Sequence, residues 1–263
     1  MNGKNNSSAI QKLKQYKPLL NELVMRDLKL KYRRSFLGYV WSLLNPLMMM
    51  AIMSLVFSYM FRFDIQNYPL YLICGQTLWT FFSESTSMAM HSVLVNGTLI
   101  RKVYIPKYIF PIARVLSSFV TMSFSLVAIL IVMLVTKVPL SWELLLIPVP
   151  LVFLLIFCTG IGMILSALSV YFRDIVHLYG VLTMAWMYVT PIFYPISALP
   201  DEIAYYIQFN PMYHYITFFR ELVLYGAVPS LDIWMNCILS SVAAFLIGMW
   251  SFHKLQKNFI LHV

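Results

Sequence analysis

Long apolar runs, about six of them, leave this chain few architectures to choose from. They fall near Gly38 to Phe61, Pro69 to Met90, Phe110 to Val135, Leu144 to Val170, His177 to Tyr194 and Leu231 to Phe252. Each approaches the roughly 20 residues that carry a helix across a hydrocarbon core, so the expected fold is an all-α integral membrane protein with six transmembrane helices. A hydrophobic content of 60%, only 11% charged residues and a mean hydropathy of +0.76 agree with lipid as the solvent. The stretch from Pro195 to Pro229 is too broken by proline and too rich in tyrosine to be a plain seventh span.

The cations orient these spans. The leader carries Lys4, Lys12, Lys14, Lys17, Arg26, Lys29, Lys31, Arg33 and Arg34. Arg101, Lys102, Lys107 and Arg114 follow the second run, and Arg173, Lys254 and Lys257 come later. Threading six spans puts all of these on one side. The other side receives Arg62, Lys137 and Arg220 with most of the acids, namely Asp64, Glu143, Asp201, Glu202, Glu221 and Asp232. By the positive-inside rule both termini are cytoplasmic. The formal charge of +9 is then a topology signal, and it implies an anionic lipid surface as partner and no nucleic acid.

Residues 1–37 read as a cytoplasmic N-terminal segment, 38–252 as the transmembrane domain and 253–263 as a cytoplasmic tail. The first 35 residues are polar and basic and are not followed by a small-residue cleavage site, so no cleavable signal is expected. Cys74, Cys158 and Cys237 lie inside apolar runs and read as small buried hydrophobes.

The search for catalytic chemistry ends quickly. There is no GxxxxGK[ST] phosphate loop, HExxH, CxxC or GxSxG. The histidines are dispersed, with no pair at metal-ligand spacing on one segment. No cofactor or metal site is therefore expected in this chain. Gly160, Gly162, Ser166 and Ala167 suit a close approach of two membrane helices.

Polarity inside the second run stands out. Gln76, Thr80, Glu84, Ser87 and His91 recur at steps of 4, 4, 3 and 4, which places them along one face of a helix. A glutamate at mid-membrane costs about 2.5 kcal/mol or more against lipid, so it must face protein or water. A polar packing seam and the wall of a hydrophilic path both satisfy that requirement. Aromatic residues gather nearby: Trp79 and Phe82 beside the stripe, Tyr39 and Trp41 at the entrance to the first span, and Trp186, Tyr188, Phe193 and Tyr194 in the fifth. Flat amphipathic rings can stack on sugar faces, which suits a carbohydrate path. Interface anchoring accounts equally for Tyr39, Trp41, Tyr68, Tyr71 and Tyr171. The candidate path lining is thus Tyr39, Trp41, Gln76, Trp79, Thr80, Phe82, Glu84, Ser87, Trp186, Tyr188, Phe193 and Tyr194.

The connections carry a second pattern. "NGTLIRKVYIPKYIFPIAR" alternates cations with aliphatic residues and is expected to form a short amphipathic element bounded by Pro106 and Pro111. "YFRDI" at 171 to 175 makes another short cytoplasmic connection.

These stretches resemble a known family. "RDLKLKYRRSFLGYVWSLLNPL" at 26 to 47, "LIRKVYIPKYIFPIA" at 99 to 113, "SVYFRDI" at 169 to 175, "TPIFYPISALP" at 190 to 200 and "NPMYHYITFFRELVLYG" at 210 to 226 are similar to the membrane permeases of ABC exporters for polysaccharides, including those for O-antigen, capsule and wall teichoic acid. The resemblance covers nearly the whole chain. It implies a homodimer in the bacterial inner membrane, exporting a polyprenyl-linked glycan with two copies of a cytosolic nucleotide-binding subunit that holds the ATP and magnesium. It further implies an interfacial amphipathic helix at residues 17–34 and a coupling segment at 96–109 using Leu99, Arg101, Lys102, Val103 and Tyr104. Arg173 and Asp174 would form a second contact with the motor. An outer re-entrant helical hairpin would occupy 195–229, with Asn210, Pro211, Arg220 and Glu221. Pro46 would let the first span bend beside the path.

Other functions stay open on the residues alone. An exporter of drugs or lipids could share this architecture, a lipid-linked glycosyltransferase could use Asp201 and Glu202, and a proton-coupled carrier could use Glu84 and His91.

Overall fold

The computed structural model describes residues 9–33, 38–60, 65, 67–103 and 105–259, and these are mostly helical with no strand among them. Helix α1 (Ala9–Tyr32) is followed by a 3-10 turn at Gly38–Val40 and by α2 (Trp41–Met60). Then come α3 (Tyr68–Val95), α4 (Gly97–Lys102) and α5 (Ile109–Val135). A 3-10 turn at Trp142–Leu146 leads into α6 (Pro148–Tyr171), and α7 is Ile175–Val189. Two short helices, α8 (Asp201–Ile207) and α9 (Pro211–Arg220), precede a π-helical turn at Glu221–Tyr225 and the last long helix, α10 (Leu231–Leu255).

Four of the helical stretches are long and apolar enough to cross a membrane: Gly38–Phe57, Ile109–Val135, Trp142–Tyr171 and Leu231–Leu255. The other two expected spans differ from them in instructive ways. Helix α3 has 28 residues and extends beyond the expected Met90 to Val95, but its polar stripe lowers its hydropathy. The fifth expected span, His177 to Tyr194, is not one helix. Helix α7 stops at Val189 after 15 residues, or about 22 Å, because Thr190 turns extended ahead of Pro191. The interfacial helix, expected at 17–34, begins earlier at Ala9 and is followed to Tyr32. The coupling element is not bounded by its prolines either. Helix α4 ends at Lys102, Val103 is extended, and Pro111 lies inside the first turn of α5.

Helix α3 is the hub, packed by α2, α5, α6 and α9. The most extensive pairing joins α6 to α10, and the glycines explain it. A Cβ on Gly160 would sit 2.3 Å from the Ala244 carbonyl, and one on Gly248 would sit 2.3 Å from the Gly160 oxygen. Backbone therefore meets backbone at Gly160, Ala244 and Gly248, the small-residue packing that helices use where lipid offers no hydrophobic drive.

Two apolar clusters result. The larger surrounds α3, α6 and α9. The smaller gathers Leu23, Val93, Ile100, Phe110, Val170 and Phe252 at one end of the bundle, so α1, α4, the start of α5 and the ends of α6 and α10 share that end. Lys107 and Tyr171 fasten it, donating to the carbonyls of Gln256 and Leu255 at 2.7 Å each. The cationic connections are thereby brought together at one end. The three cysteines are buried and unpaired.

Candidate functional site

The stripe on α3 opens into two grooves. Gln76, Thr80 and Glu84 line a cavity of about 230 Å³, closed by Trp41, Asn45 and Pro46 of α2, by Ser118, Thr121 and Ser125 of α5, and by Lys31 from the end of α1. Lys31 forms an ion pair with Glu84. Gln76 Oε1 and Thr77 Oγ1 are buried here and have no hydrogen-bond partner among the described residues. On the other flank Ser87, with Ser83, faces a groove of about 270 Å³ walled by Tyr179, Thr183 and Met184 of α7. The strip of α3 between the grooves is open at Thr80.

Pro46 has a clear local account. A proline inside α2 removes the amide that would bond the Ser42 carbonyl four residues earlier. Ser125 of α5 donates to that carbonyl at 3.2 Å, so the freed acceptor is satisfied beside the cavity.

The aromatic candidates divide. Trp79 and Phe82 turn away from Glu84 and are 5% and 0% exposed. Their rings meet Trp186 at 6.0 and 5.1 Å, and Phe82 continues to Phe157 at 5.9 Å. Phe193 is buried and stacked on Phe57. Trp186 is half-buried and donates from Nε1 to Asn210 Oδ1 at 2.8 Å. Tyr39, Trp41 and Tyr188 remain exposed, and Tyr194 donates to the Tyr188 carbonyl. The sequence candidates therefore do not form one continuous track within a single copy.

At the end remote from α4, the break after α7 is buried irregular backbone, and side chains satisfy it. Arg220, 6% exposed, donates to the carbonyls of Pro191 at 2.7 Å, Ile192 at 2.9 Å and Tyr71 at 3.1 Å. Its guanidinium also lies 3.4 Å from the centre of the Tyr71 ring. Gly75 makes room for it, since a Cβ there would come within 2.6 Å of the Arg220 Nη2. Tyr68 and Tyr71, anticipated as interface anchors, are buried instead and donate to the carbonyls of Phe193 and Tyr194. Irregular backbone at membrane depth needs such partners, which is why phenols serve here and not at a headgroup boundary. Asn210 caps α9 at Met212 N and donates to Thr190 Oγ1, while Pro211 opens the helix. Glu221 is half-exposed.

At the α4 end, Leu99 is half-buried while Arg101, Lys102 and Val103 are exposed. Tyr104 lies outside the described residues. Arg173 and Asp174 form an exposed turn between α6 and α7. Behind α4, Asp27 is buried and paired with Arg114 at 3.1 Å and with Arg26 at 3.3 Å. Arg26 also donates to Asn96 Oδ1, at the start of α4.

Sequence reading missed Asp27 and the partners of Lys31. One signal was there: Asp27 and Glu22 are the only acids in a leader otherwise full of cations.

The sequence profile described as ABC-2 type transporter matches residues 18–224. The chain is 30% identical over 252 residues to the O-antigen export system permease protein RfbA of Myxococcus xanthus, covering 95% of this chain and 97% of that one. It is likewise 30% identical over 243 residues to a protein of the same name from Klebsiella pneumoniae, covering 92% and 93%. A more distant relative is the capsule polysaccharide export inner-membrane protein CtrC of Neisseria meningitidis, 20% identical over 263 residues and 96% of each chain.

Proposed function

This chain belongs to the ABC-2 type transporter family, and from that premise we propose that it is the membrane-spanning permease subunit of an exporter that moves a lipid-linked polysaccharide across the bacterial inner membrane. The end-to-end likeness to O-antigen and capsule export permeases carries the substrate class. One geometric observation favours transport over a packed seam: the polar face of α3 stays open between α2 and α7, with Thr80 exposed and Ser87 and Glu84 half-exposed.

Such a face cannot rest against lipid tails, since each ionisable or hydroxyl group there would forfeit its hydration. A second copy is the simplest cover. The outer face of α7, with Leu178, Val181, Leu182 and Tyr188 exposed, and that of α2 would then flank a path shared by two α3 helices about a two-fold axis. In this reading the candidate lining residues face one path only in the dimer, with Tyr39, Trp41 and Tyr188 at its rims.

Energy comes from ATP and magnesium held by two copies of a separate nucleotide-binding subunit. That motor docks on α4 through Leu99, Arg101 and Lys102 and on the Arg173–Asp174 turn. The α4 end is the cytoplasmic end, so both termini lie there and the chain crosses six times, with α3 and the short α7 completing the set. Helices α8 and α9 form the re-entrant outer hairpin.

Reconstitution tests this directly. The permease and its motor subunit, placed together in proteoliposomes, should move a polyprenyl-linked glycan only when ATP is supplied. Glycan movement that ignores ATP, or ATP-driven movement of a short lipid but no glycan, would defeat the proposal.

A further inference from the structure

Two charge contacts on α1 differ in kind. Asp27 and Lys31 stand four residues apart and so share one face of that helix. The Asp27 side chain is 1% exposed, so separating it from Arg114 would strand a charge in a dry core. Lys31 and Glu84 keep 36% and 30% exposure, so each can return to water when they part. One contact is an anchor and the other is breakable.

Their surroundings give this difference a use. Lys31 comes from the last turn of α1 and meets Glu84 midway along α3, beside the cavity lined by Gln76, Thr77 and Thr80. Polar side chains on this wall make the cavity one that water can occupy. On the anchored side, Arg26 bonds Asn96 Oδ1 at 3.3 Å, and Asn96 Nδ2 donates to the Ser92 carbonyl at 2.7 Å, immediately before α4 begins. A shift of α4 therefore reaches α1 through Arg26, and α1 carries it on to Lys31.

We propose that Lys31 and Glu84 form a latch that closes the cytoplasmic mouth of the α3 path, and that the Arg26–Asn96 contact ties this latch to α4. The latch rests on the reading of the polar face of α3 as that path. It is distinct from the docking of the motor, because neither Lys31 nor Glu84 lies on α4 or on the turn at Arg173.

A cysteine at Thr80, on the open strip behind the latch, reports its state. In inside-out vesicles a membrane-impermeant thiol reagent should label Thr80→Cys slowly, measured against the parental chain with its three buried cysteines. Adding Lys31→Met or Glu84→Gln should speed labelling about two- to fivefold, as expected when one partly exposed ion pair leaves a two-state balance. The exchanged pair, Lys31→Glu with Glu84→Lys, should return the slow rate, which a purely local role for either residue would not do. With the motor subunit present, ATP should accelerate labelling of the native latch, and Arg26→Met should abolish that acceleration. Equal rates in all variants would overturn the latch while leaving the path in place. Failure to label Thr80→Cys from either side in any variant would remove the path and the latch together. Acceleration that survives Arg26→Met would sever the tie to α4.

Discussion

The two ends of this molecule bury charge in opposite ways. Around Arg220 a lone cation is satisfied by backbone: three carbonyls accept its N–H groups, an aromatic ring covers it, and no acid is paired with it among the described residues. Around α1 the charges pair with each other across helices, as Asp27 with Arg114 and Lys31 with Glu84. Carbonyls of a buried break cannot find other donors without unfolding the break. Of these pairs, Lys31 and Glu84 are exposed enough to exchange one another for water when the helices move, while Asp27 and Arg114 hold α1 in place. The first arrangement therefore fixes a shape, and the second holds a shape that can change.

The largest effect should come from removing the fixed cation. Arg220→Ala would take the side-chain donor from the Ile192 carbonyl, leave the Pro191 carbonyl with only the 3.4 Å bond from the Tyr71 hydroxyl, and open a void against Gly75. With about 1–3 kcal/mol for a stranded carbonyl and the cavity added to it, the loss should be about 3 kcal/mol, enough to lower the yield of folded protein. Arg220→Lys should fare little better, because an ammonium cannot reproduce the planar fork. Thermal unfolding of the detergent-solubilised chain measures both. If Arg220→Ala unfolds at the native temperature, the contrast between the ends collapses.

Much of this contrast could not be read from the sequence, for physical reasons. Helices α2, α5, α6 and α10 were legible because a hydrocarbon core demands sustained apolar length. The end of α7 was legible only in Pro191, since the apolar run itself continues to Tyr194. The α3 stripe was legible as a face, but a period identifies a face and not what covers it. Nothing in the spacing said that Trp79 and Phe82 would turn toward Trp186 while Thr80 and Glu84 turned toward α2 and α5. The partners of Arg220 were invisible, because backbone carbonyls leave no mark on composition. Lys31 and Glu84 are 53 residues apart and had only their opposite signs in common.

Adjacent residues on α3 sharpen the comparison at intermediate size. Trp79 is buried edge-on to Trp186 and forms part of the wall of the Ser87 groove, so Trp79→Ala should remove core packing and cost about 3–5 kcal/mol of stability. Thr80 is exposed, so Thr80→Ala should leave stability within about 0.5 kcal/mol and alter only glycan transport. Paired unfolding and export measurements separate the two. Should Trp79→Ala keep native stability yet block export, that ring belongs to the path and not to the packed side of α3.

The smallest effect on the fold, and a large one on function, is expected at α4. Arg101 and Lys102 are exposed on a six-residue helix whose buried residues are Gly97 and Ile100. Replacing both cations by glutamate removes no packing and strands no buried group, so the melting temperature of the isolated permease should stay within a degree or two. The reversed charge would, however, meet any acidic surface on a docked motor with repulsion where there was attraction. ATP-dependent glycan export should therefore fall by roughly a hundredfold in Arg101→Glu/Lys102→Glu, the size expected when a close charge pair at an interface is reversed. Raising the salt concentration should narrow the gap between variant and native protein, because screening weakens repulsion between exposed charges. Export that is unchanged at low salt would take α4 out of the motor contact. It would also leave the Arg26–Asn96 tie, and the movable end of the molecule with it, without a source of motion.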